Sequence, residues 1–176
     1  MFFSKPLRLI KLARILLVLV LALFISFADV LPAQAAIRTF EESPGQVLTQ
    51  SRTTLKDELG NRWQAITFKR SKPDGSEVVG LRLVGFPGAV TIDRSRPLML
   101  KDSLGNTLTA ADASAPIFTN ADNPEPHIGQ YDLQPVLDDL RPELPLELQL
   151  PVIDGDPVVL QIAPQTVQEW KQVATS

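Results

Sequence analysis

The sequence predicts a mainly β fold: an antiparallel barrel or sandwich of about seven to nine strands with one C-terminal helix. Three observations predict it. Leu55-Lys56-Asp57-Glu58-Leu59-Gly60-Asn61 returns as Leu100-Lys101-Asp102-Ser103-Leu104-Gly105-Asn106, six of the seven residues being identical. An Asp three residues before a Gly suits a type I turn with a positive-φ bulge, a common way to close a hairpin. Leu144, Leu146, Leu148 and Leu150 alternate with Pro145, Glu147 and Gln149, the period of a half-buried strand. Nine prolines between residues 116 and 164 exclude long helices and unbroken central strands from that part.

The chain opens with a targeting pattern, read as a signal peptide over residues 1–35. Lys5, Arg8, Lys11 and Arg14 precede an apolar run of 13 residues, Ile15 to Phe27. That run is shorter than the about 20 residues a membrane span needs. Ala33-Gln34-Ala35 offers the small residues of a cleavage site, so the mature chain is expected to begin at Ala36 with no transmembrane anchor after cleavage. The absence of cysteine excludes lipoprotein processing, and the absence of an Arg-Arg pair favours general secretory export.

Residues 36–176 suffice for one domain with its own core. Without cysteine, stability rests on apolar burial, thiol catalysis is impossible, and a periplasm-like compartment fits. Residues 36–101 hold 11 basic and 7 acidic side chains, whereas residues 102–176 hold 2 and 12. Either these sets mix on one solvated exterior or they form a basic and an acidic face. The mature chain is acidic in total, which argues against nucleic acid as a partner.

Residues 36–50 are polar and are read as a lead-in, with Pro44-Gly45 as a turn; a single mainly-β domain follows over 51–176. Residues 53–56 and 62–69 flank the first tip, and in the second run Ile66 and Phe68 alternate with Trp63, Ala65 and Thr67, so both faces look partly covered. Pro73-Asp74-Gly75 is a turn leading into a strand over 77–84, which completes an antiparallel meander. After Phe86-Pro87-Gly88 a short strand is expected over 90–92, then a charged loop, then strands over 98–101 and 107–110 around the second tip. Tyr131-Asp132-Leu133 reads as a short strand and 135–140 as one helical turn. Asp154-Gly155 closes a hairpin from the leucine-alternating strand to Val158, Leu160 and Ile162. Pro164 opens a helix over 164–174, with Val167, Trp170 and Val173 or Ala174 on one face.

Candidate sites are few. Asp122, Glu125 and His127, with Asp132 nearby, are suitable ligand types for a divalent ion, but their spacing fits neither an EF-hand nor a zinc pattern, and a solvated Pro-rich loop is the simpler reading. No Gly-x-Ser-x-Gly is present, and His127 is the only histidine, so no catalytic residue is assigned and no cofactor is expected. Arg94 and Arg96 beside Pro97 are candidates for an anionic head group or an acidic partner, although most such loops are simply solvated, and Lys56, Glu58 and Arg62 around the first tip are candidates for contact with a protein partner. Trp63, Phe68, Phe86 and Trp170 read as core in preference to a ligand groove.

Leu55-Lys56-Asp57 with Gly60-Asn61, Trp63-Gln64-Ala65, Leu81-Arg82-Leu83-Val84-Gly85-Phe86-Pro87-Gly88 and Gly129-Gln130-Tyr131-Asp132-Leu133-Gln134-Pro135 resemble a family of exported cyanobacterial proteins known as a domain of unknown function. The resemblance runs from about Ser51 to the C-terminal helix and carries no catalytic residues. It implies a cyanobacterial periplasm or thylakoid lumen. The expected function is a soluble accessory or binding module there, assisting a membrane complex such as a photosynthetic one. The alternatives are a small-molecule or lipid carrier with an apolar cavity and, third, a metal-dependent hydrolase.

Overall fold

The computed structural model describes residues 37–120 and 122–176; the expected leader over residues 1–35 lies outside them. Nine strands run in chain order: β1 (Arg38–Ser43), β2 (Gln46–Lys56), β3 (Arg62–Ser71), β4 (Glu77–Val84), β5 (Leu98–Asp102), β6 (Thr107–Ala110), β7 (Ile128–Asp132), β8 (Leu146–Leu150) and β9 (Val158–Ile162). One helix, α1 (Pro164–Thr175), closes the chain. The strands form two antiparallel sheets, a five-stranded sheet in the order β1-β2-β3-β4-β7 and a four-stranded sheet in the order β6-β5-β8-β9.

The architecture is a sandwich. Period-two alternation builds its core: Leu55, Trp63, Ala65, Leu81, Leu83 and Tyr131 of the first sheet meet Leu98, Leu100, Leu146, Leu148, Leu150, Leu160 and Ile162 of the second. Single bridges, Asp57 to Leu160 at one margin and Asp112 to Tyr131 at the other, stitch the two sheets together without closing a barrel. That half-closed state explains why the strand pattern alone left barrel and sandwich open.

Because β2 and β3 are about twice as long as the strands of the second sheet, part of their inner face extends beyond it. Helix α1 covers that extension. Pro164 occupies its first turn, where a missing N–H costs no hydrogen bond, and Val167, Trp170 and Val173 turn into the core. The Ser51 hydroxyl donates to Glu169 Oε2 at 3.0 Å, and Lys69 Nζ donates to the Ser176 carbonyl at 2.9 Å, fixing the helix on β2 and β3. The helix face read from the sequence is the one buried.

Four expectations are corrected. Phe86, read as core, is 71% exposed. The lead-in expected over residues 36–50 is a hairpin: β1 pairs with β2 from Arg38 opposite Gln50 to Ser43 opposite Gln46, turning at Gly45 with φ 76°. So β2 runs without a break through the boundary placed at Ser51. Every residue of β1 is exposed, because it is an edge strand, so it carries no apolar alternation to read. The short strand expected over 90–92 is a single bridge, Ile92 to Val152. The helical turn expected from Pro135 is a 3-10 turn over Gln134–Val136, with Val136 buried.

Both repeated tips are hairpin turns of the predicted kind, with φ of 83° at Gly60 and 89° at Gly105. Their Asp does more than begin the turn. Asp57 Oδ1 accepts from the backbone N–H of Leu59 and Asn61, and Oδ2 accepts from Asn61 Nδ2. Asp102 repeats all three bonds with Leu104 and Asn106. Asp57 alone accepts a further bond, from the indole Nε1 of Trp63 at 3.1 Å.

Candidate docking face

The register places one set of β-strand side chains on the solvent side of the five-stranded sheet, in rows that cross the strands. Lys56 lies opposite Arg62. Thr54, Gln64, Val84 and Ile128 form the next row, then Arg52, Ile66, Arg82 and Gln130, followed by Arg38, Gln50, Phe68, Gly80 and Asp132, then Phe40, Leu48, Arg70 and Val78. Six cations, Arg38, Arg52, Lys56, Arg62, Arg70 and Arg82, thus share a face with two carboxylates, Glu42 and Asp132.

The floor of this face is apolar and closed although no further layer of the described chain covers it. Phe68 is 4% exposed, Leu48 7% and Ile66 9%. Arginines of the face contribute to the cover, since a long side chain can lie over an apolar neighbour and still reach the surface. The guanidinium carbons of Arg70 and Arg82 stand 5.6 and 5.8 Å from the Phe68 ring centre. Gly80 makes room for the ring, since a Cβ there would meet Phe68 Cζ at 2.6 Å.

Charge pairing on this face is incomplete. Arg70 holds Glu42, with Nε 2.8 Å from Oε2, and this pair holds the Glu42 carboxyl below its usual range. Among the described residues Arg38, Arg52, Lys56, Arg62 and Arg82 have no carboxylate partner. Arg82 is half-buried; desolvation, then repulsion from Arg70 and Arg52, lowers its pKa, partly offset by Glu42. Its Nε and Nη2 both donate to Gln130 Oε1, at 3.2 and 2.8 Å. Gln130 is oriented in turn: its Nε2 donates to the Ala113 carbonyl at 3.1 Å, so only its oxygen can face Arg82.

The charge division of the sequence therefore becomes a basic face, but not an opposing acidic one. The solvent side of the second sheet presents Met99, Lys101, Thr107, Thr109, Glu147, Gln149, Val159 and Gln161, one cation and one anion. Many of the acids are engaged in turns. Asp57, Asp74, Asp93, Asp102, Asp112 and Asp132 each accept the backbone N–H two residues on. In three of them, at Ser76, Ser95 and Ser114, the same carboxylate also takes the serine hydroxyl, so the recurrent Asp-x-Ser spacing was a readable signal for turns.

Of the partner candidates, Lys56 and Arg62 lie exposed at one end of the basic face, and Glu58 is exposed at the tip beside them. Arg94 and Arg96 instead fasten loops. Arg94 Nη2 donates to the carbonyls of Glu125 and Ile128 and stacks over Phe118 at 4.7 Å. Arg96 bonds Asp93 and the Val152 carbonyl, each at 2.7 Å. Sequence reading passed over Arg38, Arg52, Arg70 and Arg82, because only strand register shows that they share a face.

The metal candidates are not brought together. Among the described residues no three His, Asp or Glu side chains are placed to hold an ion. Asp132 Oδ1 accepts from the Gln134 N–H, Asp122 and Glu125 are exposed, and the His127 carbonyl accepts from Gly85 N–H. The space between the sheets is filled by Trp63, Trp170, Tyr131 and leucines. Outside it, a depression of about 390 Å³ beside the second tip is lined by Asp102, Asp138, Asp139 and Arg141 together with leucines. Among the described residues no helix is long and apolar enough to cross a membrane.

Residues 35–173 match the family described as "Protein of unknown function (DUF3122)", and the chain belongs to that family. No curated protein and no solved structure matches it.

Proposed function

We propose that this DUF3122 protein is an exported accessory module of a cyanobacterial periplasm or thylakoid lumen. It docks the solvent face of its five-stranded sheet onto an acidic protein surface, assisting a membrane complex. The observation that carries the reading is the six-to-two excess of cations on one sheet face, with only Arg70 among the six paired to a carboxylate of the described residues. The leader pattern of residues 1–35 supports export.

Scale and composition favour a protein partner. With strands about 4.8 Å apart and about 3.3 Å of rise per residue, the face measures roughly 25 Å by 25 Å, on the order of 600 Å². A standard interface takes about 800 Å² from each partner. Arginine and aromatic residues over an apolar floor are the composition of interface centres. The mature chain is acidic in total, so extended polyanions are repelled at long range, whereas a local acidic patch meets only the basic face.

Cross-linking in cells tests this, comparing the parent with Arg52→Glu/Arg62→Glu and with Lys101→Glu on the opposite sheet. One acidic partner should be lost with the first variant, be retained with the second, and dissociate with rising salt. Equal capture by the parent and the double variant refutes the face. Intact mass of the exported protein should show removal of residues 1–35, and a retained leader at steady state refutes export.

A further inference from the structure

We infer that Arg52 and Arg82 form a seat for one carboxylate of the acidic partner, floored by Ile66 and walled by Phe68, with Gln130 holding Arg82 in the receiving position. The inference rests on the docking reading above and names the anchor within that face.

Arg52 and Arg82 are both paired to Ile66 across the sheet, one on each side. Two strand spacings put their Cβ atoms about 10 Å apart, a gap that two arginine side chains close over a single small anion. Arg82 is the prepared member. Gln130 Oε1 takes its Nε and Nη2, which leaves Nη1 without a protein acceptor among the described residues. That Gln130 is itself immobilised: it is 6% exposed, its amide donates to the Ala113 carbonyl, and its backbone N–H donates to the buried Ser114 hydroxyl at 2.8 Å. A layer of supporting bonds behind a surface arginine fixes geometry without neutralising charge. An acid at position 130 would stabilise Arg82 more, whereas a neutral amide keeps the charge available.

The surroundings sharpen the preference. Of the two carboxylates on the face, Glu42 is taken by Arg70 and Asp132 accepts from the Gln134 N–H, and burial together with the neighbouring guanidinium charges disfavours the unliganded state of Arg82. An incoming carboxylate relieves that repulsion and receives charge-assisted bonds from both sides. The apolar floor and the Phe68 wall suit the methylenes of a glutamate side chain on a peptide, which free inorganic phosphate lacks. On the β1 side of the same face, Arg38, Phe40, Gln50 and Arg52 itself bound a depression of about 400 Å³, room for the residues flanking such an anchor.

The test uses the mature chain, a hexaglutamate peptide and inorganic phosphate as probes, followed by NMR of the arginine Nε–H signals. The peptide should shift the Arg52 and Arg82 signals in the parent, and phosphate should compete about tenfold more weakly. Gln130→Glu, nearly isosteric, supplies Arg82 with an internal carboxylate and should weaken the peptide about tenfold, with a somewhat lower melting temperature because its second oxygen faces the Ala113 carbonyl that the amide donates to. Should that variant fold poorly, Arg82→Lys keeps the charge but loses the fork, and a roughly fivefold loss is then expected. Unchanged affinity in Gln130→Glu with a loss in Arg62→Glu overturns the seat but leaves the docking face standing. Unchanged affinity in both overturns both. Phosphate binding more tightly than the peptide overturns the assignment of a carboxylate.

Discussion

The two sheets of this sandwich share one core but treat their solvent sides differently. On the four-stranded sheet, the outward positions carry one cation and one anion among neutral side chains and none of them is buried, Met99 being 38% exposed. On the five-stranded sheet, outward Leu48, Ile66 and Phe68 are shut in by the long side chains around them. Ordinary antiparallel alternation needs apolar residues on one face only. The difference teaches that the second apolar layer is not required by the fold, and that arginines lie over its Phe68.

The largest effect expected from this contrast is at Phe68. Its ring fills the space above Gly80 and supports Arg70 and Arg82. Phe68→Ala should cost about 3 kcal/mol, near the low end for buried aromatic truncation because neighbouring arginines can partly collapse into the gap. Met99→Ala, at the outward position of the other sheet, should cost under about 1 kcal/mol. Chemical denaturation of both variants decides the matter, and equal costs would mean that the two outward faces are energetically alike.

Much of this architecture was legible in the sequence. Leucine alternation in β8, the two Asp-x-x-Gly tips and the Pro164 helix start are local signals whose physics needs no partner. The β1–β2 hairpin was missed because an exposed edge strand has no buried side to impose periodicity, although Pro44-Gly45 between Phe40 and Leu48 marked its turn. Ile66 and Phe68 correctly announced cover on both sides of β3, but what covers them comes from positions 52, 70 and 82, three different strands. Docking-face membership is a matter of register between strands, which composition cannot supply. Arg94 and Arg96 looked like free surface charges for the complementary reason: the carbonyls that take them up come from residues 125, 128 and 152.

A smaller effect separates the two tips, one in each sheet. Asp57 and Asp102 make the same three turn bonds, and Asp57 adds the Trp63 indole. Asp57→Ala leaves that indole N–H, on a side chain 1% exposed, without its partner, which should cost about 2 kcal/mol. Asp102→Ala should lower the melting temperature by less. The glycines should behave alike: Gly60→Val and Gly105→Val each force a β-branched residue to positive φ, at on the order of 1–3 kcal/mol. Identical losses for the two Asp variants would show that the indole bond contributes nothing.

The smallest effect is in the acid limb of stability. At Asp57 burial pushes the carboxyl up, but bonds from the Asn61 amide, the Trp63 indole and two backbone N–H groups outweigh it and hold the pKa below its ordinary value. At Asp102 the Asn106 amide leads, and the net direction is the same. A depressed folded pKa means that the stabilisation is present above the unfolded value of about 3.9 and is lost as pH falls through the folded pKa. Glu42 and other carboxylates are lowered too, so the parent's curve sums several groups and only differences are informative. Asp57→Asn removes one titrating group and turns an amide donor toward the Asn61 or Trp63 donors, so it should melt lower at pH 7 and approach the parent as pH falls below about 4. Asp102→Asn should converge in the same direction from a smaller initial gap, since it has no indole to oppose. Parallel melting curves for the parent and Asp57→Asn between pH 7 and pH 2.5 would show that the charge of Asp57 does not hold the tip, and that the turn bonds persist with the carboxyl protonated.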